Sequence, residues 1–466
     1  MKISIFCFCC FLHFVGLAQP LLFQKGDRVA FVGNSITNNG EFHHNIFQYY
    51  VTRFPEKPVT FFNCGISGDV TGGILSRMDD DILVHNPTHV VLMIGMNDVK
   101  RSLYGPKPTT DTDTLTQRRE AIRVYKANLD SLVRVFSGRN IKVILQKPTI
   151  YDQTARLKTA TNLGVNDALK QCADYTEELA RKYRLPIVDY WTILNAINTD
   201  LQKKDPTATI IGPDRVHPAS AGHLIMAYQF LTSMQSPGYV SRILIDRDRG
   251  EARQTGQNGV VLSVKKDQKR LRFTVKENAL PFATVENQKQ ALALVPFTRE
   301  LNQQELAVTN LPAGAYQVLI DTTVVDTLTA EQLKKGINLA EYSHSPQYKQ
   351  ALAVRAILAD LWRNEANLRT IKWVEIGHLK ECKNREDLQA VKAFLAARYA
   401  QKYQTASNST YYQTQFDKYL LLKPLEETYK KALDELREKA YRAAVPVAHQ
   451  YTLIKLPSTD KQHLTK

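Results

Sequence analysis

The chain has 466 residues, 44% of them hydrophobic and 23% charged, and a net charge of +15. This is the composition of a globular protein without internal repeats or low-complexity segments, and it is too long for one compact core, so two or three domains are expected. The positive charge would attract an acidic polymer such as a uronic-acid polysaccharide, or a membrane surface. Lys and Arg are spread thinly with no binding module beside them, so nucleic acid is not an expected partner.

Residues 1–18 read as a secretory signal: Lys2 precedes an apolar run from Ile3 to Leu17, and Ala18 closes it with a small residue. The run is short of the roughly 20 residues a membrane span needs. No later run is long enough to cross a bilayer, so an exported protein, periplasmic or secreted, is expected. Of the 6 cysteines, Cys7, Cys9 and Cys10 lie inside the signal. Cys64, Cys172 and Cys382 are odd in number and widely spaced, which fits small buried side chains rather than a disulfide framework. No ligand cluster has metal spacing, so neither metal nor cofactor is expected.

From residue 19 to about 238, apolar strands alternate with amphipathic helices. The strands are Asp27 to Val32, Val59 to Cys64, His89 to Gly95, Lys142 to Gln146 and Pro186 to Tyr190. The helices are Phe42 to Phe54, Gly73 to Leu83, Thr116 to Phe136, Asn162 to Tyr183 and Ala219 to Met234. In the third, Ile122, Tyr125, Leu129, Leu132 and Phe136 recur at spacings of three and four, one helical face. Such alternation predicts an α/β fold, a parallel sheet flanked by helices in three layers. Ligands of such sheets bind beyond the carboxyl ends of the strands.

Residues 239–340 carry short strand patterns: Val260 to Val264, Leu271 to Val275, Leu306 to Leu311, Tyr316 to Ile320 and Val324 to Leu328. Asp267 to Lys269 and Asp321-Thr322 would turn two hairpins, which predicts a small antiparallel β module. The stretch 341–446 is helical in pattern, opening on Ser345 as N-cap and Pro346 at the first helical position. Val354, Leu358, Leu361, Glu365 and Leu368 trace one stripe, and Leu425, Tyr429, Leu433, Leu436 and Ala440 another. Residues 447–466 are expected to be a flexible tail.

Four short stretches carry chemistry, each placed at a strand end or in a loop at one sheet edge. A serine hydroxyl becomes a nucleophile only beside a base, and the base needs an orienting partner. Ser35 follows the first strand. Asp214 and His217 share a short loop, and their separation lets the carboxylate reach one imidazole nitrogen while the other faces the serine. Attack on a carbonyl creates an oxyanion, for which the N–H groups of Ser35 and Gly68 and the side-chain amide of Asn97 are the candidate donors. Glycine at 68 would permit close backbone approach.

Gly33-Asn34-Ser35-Ile36-Thr37, Gly65-Ile66-Ser67-Gly68-Asp69, Gly95-Met96-Asn97-Asp98 and Asp214-Arg215-Val216-His217-Pro218 resemble the four signature blocks of the SGNH (GDSL-like) hydrolases. The resemblance covers about residues 25 to 236. It implies Ser35 as nucleophile, Asp214 and His217 as its partners, and Ser35, Gly68 and Asn97 as the oxyanion hole. Asn34 stands where the family more often has Asp. Family members hydrolyse esters of lipids, thioesters and acetylated sugars. An exported, basic, multi-domain form most resembles the carbohydrate esterases, which implies an acylated carbohydrate or other small ester as substrate. The alternatives are a lipase or thioesterase, and a catalytically idle glycan-binding envelope protein. The sequence does not specify an oligomeric state.

Overall fold

The computed structural model describes residues 23–249 and 255–457. The expected signal at 1–18, with its three cysteines, and residues 458–466 of the expected tail lie outside these. Five parallel strands, β1 (Arg28–Gly33), β2 (Thr60–Gly65), β3 (His89–Met93), β4 (Lys142–Gln146) and β5 (Ile187–Val188), form one sheet in the order β2-β1-β3-β4-β5. Val29, Ala30, Phe31 and Val32 are fully buried, as a strand covered by helices on both faces must be. Gly33 stands opposite both Gly65 and Met93, so the three strands bearing the signature blocks end level with one another.

The helices of this part are α1 (Ser35–Asn39), α2 (Glu41–Arg53), α3 (Thr71–Ser76), α4 (Thr112–Gly138), α5 (Val165–Tyr183), α6 (Tyr190–Lys204) and α7 (Ser220–Ser233). The predicted stripe of α4 is buried along its whole length. The helix expected over Gly73 to Leu83 is instead α3, a π-helical turn (Met78–Ile82) and a 3-10 turn (Leu83–His85). The wider turn falls where Asp81 is buried against two arginines, Arg77 and Arg369. Helix α6 was not predicted. Its buried stripe is narrow, Tyr190, Leu194 and Asn198, and its start is set by Asp189, which accepts from the Thr192 N–H.

Beyond these lie β6 (Tyr239–Asp246), β7 (Thr255–Gln257), β8 (Gly259–Lys266), β9 (Arg270–Glu277), α8 (Lys289–Leu294), α9 (Phe297–Leu301), β10 (Gln303–Thr309), β11 (Ala315–Ile320), β12 (Thr323–Thr329), α10 (Ala330–Lys335) and β13 (Ile337–Asn338). Four helices follow, α11 (Pro346–His378), α12 (Leu388–Lys402), α13 (Ser409–Leu422) and α14 (Glu426–Ala443), and then β14 (Ala448–Lys455). The strands form sheets in the orders β13-β10-β6-β7 and β12-β11-β14-β9-β8. Both predicted hairpins are present. All pairs are antiparallel except β6 with β10, which run parallel.

The expected tail needs correction. Residues 448–455 are β14, the central strand of the five-stranded sheet, paired with β9 on one side and β11 on the other. His449, Tyr451 and Leu453 are buried on one face, the period-two pattern of a strand. Tyr451 stacks on Phe273 with ring centroids 5.1 Å apart. The β module therefore closes only with a strand from beyond the helical stretch, not within 239–340.

Ser345 caps α11 as predicted, its hydroxyl accepting from the Tyr348 N–H at 3.3 Å. Val354, Leu358, Leu361 and Glu365 are buried, and with Ala440 and Tyr441 of α14 the apolar ones join the same core as the parallel sheet. Cys64, Cys172 and Cys382 are free and buried. Among the described residues no helix is long and apolar enough to cross a membrane.

Candidate active site

The turn from β1 into α1 places Ser35 at the carboxyl edge of the sheet. Asn34 caps the helix, its side-chain oxygen accepting from the Ile36 N–H at 3.1 Å. Ser35 is the first helical residue, where an N–H has no partner within the helix. The block-two strand passes close behind this turn: a Cβ on Gly65 would lie 2.1 Å from the Asn38 nitrogen, so no larger residue fits.

The Asp214 loop is held from beneath. Arg215 adopts a φ of 67° and buries its guanidinium, which donates to the carbonyls of Asp152, Ala155 and Thr159. One Asp214 oxygen accepts the backbone N–H groups of Val216 and His217, both at 3.0 Å. The other lies 2.5 Å from His217 Nδ1, and His217 Nε2 lies 2.7 Å from Ser35 Oγ. The three side chains thus form one continuous relay although 182 residues separate serine from histidine. Burial raises the affinity of the Asp214 carboxyl for its proton. The bonds from His217 and Val216 outweigh this, so its pKa falls below the usual carboxylate range.

Gly68 sits at a φ of 85° in the turn that Asp69 N–H closes onto Ile66 O at 3.1 Å. The turn's own bond leaves the Gly68 N–H outside it. A Cβ on Gly68 would meet nothing within 4 Å, so the left-handed backbone calls for glycine here, and the space beside it is open. Asn97 donates from Nδ2 to Asp69 O at 3.0 Å, and Arg101 Nη2 approaches its Oδ1 at 3.4 Å. That fixes which way the amide faces and leaves one Nδ2 hydrogen free. All five residues singled out in the sequence are therefore placed at this one edge of the sheet.

The next residue, Asp98, faces inward. Its Oδ1 accepts from the Thr71 N–H and hydroxyl at 2.8 and 2.6 Å, while its buried Oδ2 has no partner among the described residues. Burial pushes its pKa up to about 6, against the opposing pull of the Thr71 bonds.

Two contributors were not visible as motifs. On α11, Trp373 Nε1 donates to Ser67 O at 3.1 Å, and Arg369 donates to Gly65 O at 2.9 and 3.1 Å, both bracing the block-two loop. The available signal was that Glu365, Arg369 and Trp373 continue the apolar stripe of α11 with polar and aromatic side chains. Likewise, His43, His44 and Glu365 have ligand atoms within 4.8 Å of one another, a grouping hidden from sequence spacing. His43 Nε2 lies 3.1 Å from Thr37 O and His44 Nε2 2.7 Å from Glu365 Oε2, so both nitrogens are already engaged in joining α2 to its surroundings. Burial, with the neighbouring His44, takes the His43 pKa down to about 3.

A cavity of about 490 Å³ lies between β2 and the helices α11 and α14, lined by Arg28, Phe62, Glu365, Lys372 and Arg437 among others, and it does not reach Ser35. Beside Ser35, the side chains of His217 and Asp214 are 39% and 51% exposed.

The relay stands at the carboxyl edge of the parallel sheet within residues 31–225, the stretch matched by the model of the GDSL-like lipase/acylhydrolase family, and the chain is a carboxylic ester hydrolase. It is similar to an acetylxylan esterase of Geobacillus stearothermophilus, 28% identical over 225 residues, 44% of this chain and 93% of that protein. It is also similar in structure to a gut microbial diltiazem-metabolizing enzyme, 29% identical, with a TM-score of 0.83 over 93% of this chain and 99% of the other. That second likeness takes in the β sheets and the helices after residue 238 as well as the hydrolase domain.

Proposed function

We propose that the protein is a serine esterase that removes O-acyl groups, O-acetyl foremost, from carbohydrate through an acyl-enzyme. The observation that carries this reading is the relay from Ser35 Oγ through His217 to Asp214, at 2.7 and 2.5 Å. His217 Nε2 takes the hydroxyl proton as Ser35 Oγ attacks the acyl carbon. The N–H groups of Ser35 and Gly68 and the free Asn97 amide hydrogen receive the developing oxyanion. Collapse breaks the bond to the alcohol, which leaves with the proton from His217. Water then gives its proton to His217, attacks the acyl-serine, and releases the carboxylic acid and Ser35.

The exposure of His217 and Asp214 supports a small acyl group, because a long chain needs an enclosed apolar channel. The acetylxylan esterase similarity supports the acetyl group and the sugar. Export directed by residues 1–18 belongs to the same proposal, since polysaccharide lies outside the cytoplasm, and N-terminal sequencing of the mature protein tests it.

The deciding experiment compares acetyl with octanoyl esters, acetylated xylooligosaccharide, and diltiazem, which carries an acetate ester. A higher kcat/KM for acetyl esters is expected. Preference for octanoyl would replace this reading with a lipase or thioesterase. Polysaccharide binding without hydrolysis of any ester would replace it with a glycan-binding protein.

A further inference from the structure

The helical stretch reaches the rim of the catalytic edge through an aromatic side chain that the reaction itself does not require. Asn38, one turn of α1 beyond Ser35, donates from Nδ2 to Ser67 Oγ at 3.2 Å. Ser67 immediately precedes Gly68, its carbonyl accepts from Trp373, and the Tyr411 hydroxyl on α13 lies near its side chain. The Tyr411 ring meets the Trp373 ring edge-on at 5.7 Å and is 44% exposed. The neighbouring Tyr403, Tyr412 and Phe416 pack into the small core of α11, α12 and α13, whereas Tyr411 stands outside it. Tyr411 is thus set beside Ser67 and braced by Trp373, while its ring remains open to solvent.

We infer that Tyr411 is a specificity residue whose exposed ring receives the ring of the alcohol portion of the ester, a pyranose or a bulky cyclic alcohol, as its acyl group lies over Ser35. An amphipathic aromatic ring braced edge-on by a second ring offers apolar contact to a sugar face at little cost in side-chain entropy. This gives the helices after residue 345 a role in substrate choice, and it rests on the esterase reading above.

The test measures kcat/KM on two acetates that share the acyl group and differ in the alcohol: ethyl acetate and acetylated xylotetraose. Tyr411→Ala is expected to lower kcat/KM on the xylotetraose ester about tenfold, mostly through KM, with ethyl acetate changed less than about twofold. Tyr411→Phe, which keeps the ring and loses the hydroxyl, should retain the xylotetraose activity. Equal losses on both esters in Tyr411→Ala would reduce the residue to a support for the Ser67 loop and overturn the inference, as would no loss on either. A parent inactive on every acetate would instead remove the esterase reading beneath it, an outcome distinct from both.

Discussion

Arg369 grips both carboxylate oxygens of Asp81, Nη1 at 2.7 Å from one and Nη2 at 2.9 Å from the other, across 288 residues of sequence. Both side chains are almost wholly buried, at 6% and 1% exposure. Arg77 pairs with the same carboxylate, and its guanidinium also donates to the carbonyls of Gly33 and Cys64. A buried charge cluster lies directly beneath the strand ends that present Ser35 and Gly68, and half of its clasp comes from the helical stretch.

Arg369→Ala is therefore expected to destabilise the whole protein by about 3 kcal/mol, because it leaves the buried Asp81 carboxylate to Arg77 alone and empties the bonds to Gly65 O. Urea unfolding of parent and variant checks it. A change below about 1 kcal/mol would mean that the C-terminal helices do not stabilise the hydrolase domain.

The parallel sheet was legible because its strands are covered on both faces and so read as near-continuous apolar runs, correct to within two residues for β1 to β4. The four blocks were legible because each is local: glycine, a small polar residue and a strand end in immediate succession. What sequence could not show was contact over long separations. Residues 448–455 have the alternation of a strand, yet their partners Phe273 and Val318 lie far back in the chain, so β14 passed for a tail. Trp373 and Arg369 looked like ordinary members of a helical face until folding set them against Ser67 and Gly65.

Ser35→Ala and His217→Ala should each lower kcat by a factor on the order of 10⁴–10⁶ without changing the unfolding midpoint, and the double variant should be little worse than either alone. The non-additivity follows from the relay: with Ser35 gone, His217 has no proton to take. Single-turnover assays on a chromogenic acetate check it. Independent, multiplying losses would contradict a shared step.

Asn97→Ala should lower kcat about 10²–10³-fold with a smaller effect on KM, since the free Nδ2 hydrogen serves charge that exists only after attack. Arg101→Ala leaves that hydrogen but releases the amide's orientation, so a smaller loss is expected. A KM effect that exceeds the kcat effect in Asn97→Ala would instead make the amide a ground-state binder.

A chelator should leave activity unchanged after prolonged dialysis, because in the proposed mechanism serine, histidine and aspartate supply nucleophile, base and orienting group. A loss restored by a divalent ion would shift attention to His43, His44 and Glu365 as ligands.

Asp98 contributes a pH dependence of stability that one substitution isolates. Burial raises its folded pKa to about 6 while the unfolded carboxyl titrates near 3.8, so between these values the folded chain holds a proton that the unfolded chain has lost. At this group the folded state binds more protons there, so the Asp98 contribution to stability falls as pH rises from about 4 to 6 and stays lower above that, while buried His43, held near 3 in the fold, contributes the opposite slope. A difference of about two pH units corresponds to about 3 kcal/mol at neutral pH. Asp98→Asn keeps an acceptor for both Thr71 bonds and cannot ionise, so its stability relative to the parent should grow from pH 4 to 6, and it should be the more stable of the two at pH 7. Unfolding midpoints of both proteins across that range check it. A parent that gains stability relative to the variant over the same window would show Asp98 ionised and favourably paired in the fold. That result would require a donor for Oδ2, which has no partner among the described residues.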